Sequence, residues 1–237
     1  FAGRYDWMDT PNPSRDAFIV RLFTSHGVER LLDCACGTGR DLVRFHQLGM
    51  DVAGSDLSPA MLAKAEMNLA QAGAQIPLKR CDFRTLDQTW EGNFDAVVCL
   101  SNAINEVHDE AQAVLALASM RDQLRPGGVL VIDQGQSDAF VTNPPHTVPI
   151  VNTRDLTRMF VLTFSPTVME VEICDFVHTE GEQAFHRCTV AIALRLLDDW
   201  RRLFTAAGFT RVDYFGDWAG TPYDRTTSAR LIAVAHR

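Results

Sequence analysis

Leu31-Leu32-Asp33-Cys34-Ala35-Cys36-Gly37-Thr38-Gly39-Arg40-Asp41 is the stretch whose reading decides the fold. Its apolar run, Leu31 to Cys36, predicts a buried strand that stops at Gly37. Gly39 follows, and Asp41-Leu42-Val43-Arg44-Phe45 predicts the start of a helix. Strand, glycine turn and helix together surround one point with backbone amides. Glycine takes up positive φ and lets a ligand approach the chain. The helix directs its free N-terminal N–H groups to the same place. An ordinary β–α turn would use the same residues for geometry alone.

Two cofactor classes use such a turn. Dinucleotide sites place a third glycine three residues after the second, for close helix–strand packing. Here that position is Leu42, and an acidic residue, Asp33, lies inside the strand. An acidic strand end suits a ligand that carries positive charge. Working outward, residues 50–55 predict a second strand ending at Asp56, with Ser58 as N-cap and Pro59 at the first position of the next helix. Asp56 lies where a carboxylate accepts two hydrogen bonds from a ribose diol. Residues 78–81 predict a third strand ending in Asp82-Phe83, a pair able to meet an adenine edge. Residues 94–100 predict a fourth strand, which runs into Ser101-Asn102-Ala103-Ile104-Asn105-Glu106-Val107-His108-Asp109. Ligands of open parallel sheets bind at the carboxyl ends of strands, so Glu106 and His108 stand where a substrate would sit. A helix over 110–124, closed by Arg125-Pro126-Gly127-Gly128, leads to a fifth strand over 129–133. Repeated strand–helix units with short connections predict an α/β, doubly wound, mostly parallel seven-stranded sheet.

The rest of the chain has another pattern. Residues 137–152, rich in Pro, Asn and Thr, read as a long loop. Residues 156–165, 168–177 and 184–194 alternate, with turns at Ser165-Pro166 and Thr179-Glu180-Gly181, and predict an antiparallel hairpin insert after strand five. A helix over 197–207 ends at Gly208, and strands over 209–215 and 228–236 follow, the last antiparallel. The loop between them, which carries Trp218 and Tyr223, is long enough to reach a pocket. At the other end, Phe1, Tyr5 and Trp7 make an aromatic segment over residues 1–9, either core cover or a lid. Pro13-Ser14-Arg15-Asp16 then opens a helix with Phe18, Ile19, Leu22 and Phe23 at helical spacing, ended by His26-Gly27. The expected organisation is one domain: lid and helix over 1–28, cofactor-binding core over 29–136, hairpin insert over 153–195, and C-terminal helix and strands over 196–237.

Hydrophobic residues make 46% of the 237 and charged residues 22%, ordinary for a globular chain with a full core. The net charge of -8 disfavours broad phosphate binding, so no nucleic-acid partner is expected. No apolar run approaches the ~20 residues of a membrane span, so no membrane partner is expected either. Four of the six cysteines fall in or at the end of apolar strand patterns, the habit of reduced, buried thiols, which points to the cytoplasm. Cys34-x-Cys36 is not a C-x-x-C metal or redox spacing; alternation puts both thiols on one side of a strand, and no metal is expected. The chain opens at Phe1 rather than Met, so a few residues are expected to precede it; there is no signal-peptide pattern.

Asp33…Gly37…Gly39, Asp56, Asp82-Phe83 and the strand-four run, all in order, make the sequence resemble class I S-adenosylmethionine (SAM) methyltransferases over nearly its whole length. "LLDCACGTGRD", "AVVCLSNAINEVHD" and "GGVLVIDQ" are similar to glycine N-methyltransferases, and the hairpin insert is shared with those and with deoxysugar N,N-dimethyltransferases. The resemblance implies SAM as cofactor and S-adenosylhomocysteine as product. It implies that Asp33, Ala35, Cys36, Gly37 and Gly39 hold the methionine end, that Asp56 binds the ribose, and that Leu57, with Met61 beside it, packs on the adenine. Asp82 and Phe83 would meet the adenine edge, and Leu100 and Ser101 the methionine backbone. Tyr5 matches a tyrosine near the transferable methyl, and Arg15 is a candidate partner for the cofactor carboxylate. Asn102, Asn105, Gln134, Trp218 and Tyr223 are candidates for the acceptor side, and a homodimer is a possible assembly.

One departure bears on the acceptor. Glycine N-methyltransferases carry an arginine after strand five that clamps the glycine carboxylate; this chain has Asp133-Gln134-Gly135-Gln136-Ser137. Glutamine does not replace a bidentate clamp, so an uncharged or amine-bearing small molecule is expected, methylated on nitrogen or oxygen. Methyl transfer from a sulfonium is an in-line displacement that needs mainly alignment and desolvation. Glu106, His108 and Tyr5 are the candidates to hold the attacking group or take its proton. Rival readings are a nucleic-acid or protein methyltransferase, a non-catalytic SAM-binding protein, and a dehydrogenase, the last opposed by Leu42.

Overall fold

The computed structural model describes residues 2–8, 12–179, 181 and 183–237; Phe1 and Asp9 of the N-terminal segment and Glu180 of the second hairpin turn lie outside them. Parallel strands β1 (Arg30–Asp33), β2 (Asp51–Asp56), β3 (Leu78–Arg80), β4 (Phe94–Cys99) and β5 (Leu124–Gln134) form most of one sheet. A second sheet follows in sequence: β6 (Thr147–Asn152), β7 (Leu156–Phe164), β8 (Val168–Val177) and β9 (Ala184–Ala193), all antiparallel. The chain then returns to the first sheet with β10 (Arg211–Phe215) and β11 (Leu231–His236), giving the order β10-β11-β5-β4-β1-β2-β3. Strand β11 lies antiparallel to both its neighbours. The expected doubly wound sheet with an antiparallel last strand and a hairpin insert is the architecture found.

Both faces of the central sheet are covered, which is why its strands read as apolar runs rather than as alternating ones. On one face Leu31, Val52, Val98 and Val131 pack against Phe18 and Phe23 of α2 (Pro13–Ser25), Phe45 of α3 (Arg40–Gln47) and Leu62 of α4 (Pro59–Gln71). On the other, Leu32, Val97 and Ile132 pack against Leu117 of α5 (Glu110–Gln123) and Trp200 of α7 (Leu197–Ala206). A short α1 (Ala2–Tyr5) and a 3-10 turn over Asp6–Met8 precede them, and α6 is Asp138–Thr142. Helix α2 starts where expected: Asn12 caps it by accepting the Arg15 N–H at 3.0 Å, with Pro13 at the first position. No helix of the described residues is long and apolar enough to cross a membrane.

Three expectations are corrected. The first strand ends at Asp33 instead of Cys36, because the Asp33 side chain accepts the Ala35 N–H at 3.1 Å and turns the backbone. Cys34 and Cys36 therefore join opposite faces of the sheet, one beside Leu32 and the other beside Leu31. Residues 137–152 are not a bare loop: Ser137 caps α6, and β6 pairs with β7 along the edge of the second sheet. Helix α5 stops at Gln123, and Leu124 already pairs with Phe94, the following turn being absorbed as a shift in register before Ala96 meets Val129.

The position that lacks a third glycine shows how it is compensated. Leu42 of α3 is fully buried against β2, and it faces Gly54. A Cβ on Gly54 would stand 2.5 Å from a Leu42 methyl, so the missing side chain is on the strand instead of on the helix.

Candidate active site

A cleft of about 590 Å³ opens at the carboxyl ends of β1, β2, β3 and β4. Its floor is the glycine turn. Gly37 adopts φ 55°, and a Cβ there would meet nothing within 4 Å, so this glycine faces open space. Gly39, at φ 77°, does something else: its Cβ position lies 3.1 Å from Ala65 of α4, so it permits close packing and does not line the cleft. Ala35 and Cys36 complete the rim.

Carboxylates end the strands. Asp56 accepts from the Gly37 N–H at 2.8 Å and from the Ser58 N–H at 2.8 Å, so it fixes the glycine turn and the start of α4 together. Leu57 lies exposed on the rim, beside Met61. At the third strand end, Asp82 caps the following 3-10 turn through the Arg84 N–H, and the Arg84 guanidinium grips the same carboxylate, holding its pKa below the usual range. Arg84 also donates to Gln112 at 3.0 Å. Phe83 packs against the buried core and lines the cleft.

The fourth strand end is bent by two consecutive left-handed residues, Ser101 at φ 59° and Asn102 at φ 67°. Neither is glycine, so tertiary bonds hold them: Ser101 N–H donates to buried Asp133 at 2.7 Å, and Asn102 accepts from Gly135 N–H at 2.9 Å. Leu100 and Ser101 thereby line the cleft, and Glu106 and His108 follow at its far side. The Glu106 carboxylate has no hydrogen-bond or ion-pair partner among the described residues. It is an exposed residue at the edge of the cleft, and the desolvation that the surrounding protein still imposes, then the nearby Asp56, raises its pKa. His108 Nε2 lies 3.0 Å from the Ala191 carbonyl of β9; a carbonyl only accepts, so Nε2 carries the proton.

The N-terminal segment lies over this floor. Tyr5 lines the cleft, with the Arg40 guanidinium 5.7 Å from its ring centre. Burial raises its hydroxyl pKa against the opposing effect of Arg40. Asp6 accepts from Thr38 Oγ1 at 2.5 Å and from Asn68 at 2.9 Å, tying the segment to the glycine turn itself. Arg4 reaches the opposite way, to Asp175 at 3.1 Å, which is also paired with buried Arg158. Trp7 stays exposed and is outside the cleft.

The methyltransferase-domain family matches residues 31–128. The chain is 31% identical over 212 residues to the glycine/sarcosine/dimethylglycine N-methyltransferase of Actinopolyspora halophila, covering 88% of this chain and 36% of that protein. It is 29% identical to the glycine/sarcosine N-methyltransferase of Halorhodospira halochloris, covering 92% and 79%. In three dimensions it matches an amino pentose methyltransferase of Micromonospora echinaspora, solved with SAM bound, at TM-score 0.76 and 26% identity, covering 95% and 92%. The chain carries a methyltransferase domain over residues 31–128. It spans little more than a third of the Actinopolyspora protein's length.

The methyltransferase cleft fits the cofactor by its own chemistry. Asp33 is buried, accepts one backbone N–H, and has no cation within ion-pair distance among the described residues. Burial, with Asp41 next, pushes its pKa up to about 8. A ligand ammonium at that point supplies the missing partner. Gly37 leaves the room such a ligand needs.

Not every candidate is in the cleft. Arg15 holds Asp41 through two bonds, at 2.9 and 2.5 Å, and lies behind it. None of the five acceptor-side candidates lines the cleft. Asn102 braces Gly135. Asn105 and Gln134 are 0% and 1% exposed and bond to each other at 2.8 Å. Trp218 is stacked between the Arg15 and Arg230 guanidiniums, with its ring edge on Phe18, so its loop folds down onto the sheet. Tyr223 donates to Asp138 at 2.8 Å, away from the cleft. Residues that sequence reading passed over include Asp6, Thr38, Arg84, Gln112, Asp133 and Val190. Asp82-x-Arg84 spacing was a usable signal for one of them; the others depend on contacts far apart in sequence.

Proposed function

We propose that this chain transfers a methyl group from SAM to the amine nitrogen of a small molecule that carries no carboxylate beside that amine. The observation that supports this reading is the charge pattern on the cleft wall. The guanidiniums lining it are Arg40 and Arg84; Arg40 pairs with Asp6, and Arg84 with Asp82. Neither stands ready to clamp a carboxylate. Glu106 meanwhile offers an uncommitted carboxylate to an incoming ammonium or hydroxyl group. The relatives named for glycine and sarcosine, and the neighbour named for an amino pentose, are named for substrates that carry an amine. The absent clamp favours the second kind of acceptor, an amine on an otherwise uncharged body.

Asp33, Asp56 and the glycine turn would hold the cofactor, with Leu57 and Phe83 against its base. When bound, SAM supplies a methyl group on a sulfonium centre, already activated for displacement. Glu106 would bind the acceptor's ammonium, take one proton, and leave the neutral lone pair aimed along the displacement axis. Its raised pKa suits that exchange better than an ordinary carboxylate's. Tyr5 and the segment over it would exclude water. Val190 of β9 lines the cleft, which supports an acceptor side built in part by the second sheet. The test is a screen with radiolabelled SAM against aminosugars, glycine, sarcosine and RNA. Transfer to aminosugar nitrogen is expected; efficient transfer to glycine or RNA would overturn the substrate class.

A further inference from the structure

Behind the Glu106 turn lies a buried arginine that does not line the cleft. Arg195 sits between β9 and α7, in the apolar run Ala191-Ile192-Ala193-Leu194-Arg195-Leu196-Leu197, and is only 6% exposed. Its guanidinium has no carboxylate within ion-pair distance among the described residues. Every bond it makes goes to a neutral oxygen: the Ile104 carbonyl at 3.4 Å, Asn105 Oδ1 at 3.1 Å, and the Val107 carbonyl. A buried guanidinium without a counter-ion is costly, and burial indeed lowers its pKa.

The three acceptors bracket one residue. Ile104 and Asn105 precede Glu106, and Val107 follows it. The turn Ala103–Glu106 is a single 3-10 turn entered through two left-handed residues, so its own geometry does little to fix where Glu106 points. The other side of the guanidinium is equally determined. Asn105 donates to Gln134 at 2.8 Å, and Gln134 donates to the Arg195 carbonyl at 2.7 Å, closing a ring of hydrogen bonds. Trp200 of α7 donates to Gln134 as well, at 3.1 Å. The ring is buried throughout and joins β5, β9, α7 and the Glu106 turn.

We infer that Arg195 is a positioning residue for methyl transfer, which sets the direction of the Glu106 carboxylate by clamping the backbone on both sides of it. This rests on the role given to Glu106 above. It also connects the inserted sheet to the reacting centre, because the clamp hangs from the end of β9.

The experiment is a double-mutant cycle on the full chain, with Arg195→Met, Arg195→Lys, Glu106→Gln and the two combinations, each measured for turnover and for SAM affinity by calorimetry. Arg195→Met is expected to lower turnover about 30-fold with SAM affinity changed less than threefold, and Arg195→Lys, which keeps a donor but not the fork, to lose about fivefold. In the Glu106→Gln background each is expected to cost less than twofold, because the group being aimed is already changed. Equal losses in both backgrounds, with Glu106→Gln itself impaired, would overturn the positioning role and leave Glu106 standing. A parallel collapse of SAM affinity in Arg195→Lys would make Arg195 a plain structural residue. Normal turnover in Glu106→Gln would overturn the reading of Glu106 and this inference with it.

Discussion

The two walls of the cleft are built from different material. The cofactor wall is mostly backbone and strand-end carboxylates: Gly37 opens space, Asp56 bonds two N–H groups, and Asp33 waits on a turn of its own making. Each of these arrangements closes within a few residues or across one pair of adjacent strands. The acceptor wall is made of side chains whose places are set from far away. Glu106 depends on Arg195, and His108 on Ala191. A wall made locally holds one ligand in one way. If the proposed roles hold, a wall hung from an inserted sheet would be open to change by that sheet without disturbing the first.

The largest effect that tests this contrast is on the cofactor wall. Asp56→Ala removes the carboxylate and two backbone bonds, and is expected to weaken SAM binding by about 2–4 kcal/mol in calorimetry. Unchanged affinity would mean that strand-end carboxylates do not make the cofactor wall. On the other wall, Glu106→Gln is expected to lower turnover roughly 100-fold, the scale of a lost acid–base group, with SAM affinity nearly intact. A loss that appeared in SAM binding instead would merge the two walls.

A third test uses pH. With Asp33 raised to about 8, the folded chain with an open cleft keeps a proton that the unfolded chain releases at the ordinary carboxylate value. Between those values each rise in pH works against the folded state. A bound ammonium favours the carboxylate, so SAM binding below about pH 8 expels that proton. Affinity should therefore tighten by up to about tenfold per pH unit from 6 toward 8, and calorimetry in buffers of different ionisation enthalpy should count close to one proton released. Asp33→Asn should flatten both; a wild-type affinity independent of pH would sink the assignment. The smallest effect belongs to Tyr223→Phe. It should cost about 1–2 kcal/mol of stability in denaturant titration, for the two lost bonds with Asp138, one donated to its carboxylate and one accepted from its N–H, and leave turnover unchanged; a fall in turnover would return that loop to the acceptor wall.

The same contrast explains what the amino-acid sequence revealed. The central sheet and the strand-end residues that line the cleft were legible because glycine turns, caps and strand ends are written in neighbouring letters. Asn105 and Gln134 look like pocket amides in the sequence, yet Arg195, sixty to ninety residues later, draws both into a buried ring. Trp218 looks like a pocket aromatic, yet two guanidiniums from distant segments hold it down. Strand β6 was hidden by its Pro and Asn content, which suits an edge strand as well as a loop.

Leu42 and Gly54 have a consequence for how such a turn can change over time. Their packing is reciprocal: the bulk is on the helix and the gap on the strand. Moving toward a three-glycine turn by Leu42→Gly alone would leave a cavity against β2, at a cost of about 3–5 kcal/mol. Filling the strand first, by Gly54→Ala, would drive a methyl group into Leu42 and cost about 1–3 kcal/mol. Each single step is a loss, and the pair together refills only part of the space. A lineage that began with this arrangement is held to it by the second residue as firmly as by the ligand, so the two ways of building the turn are separated by a valley and not by a slope.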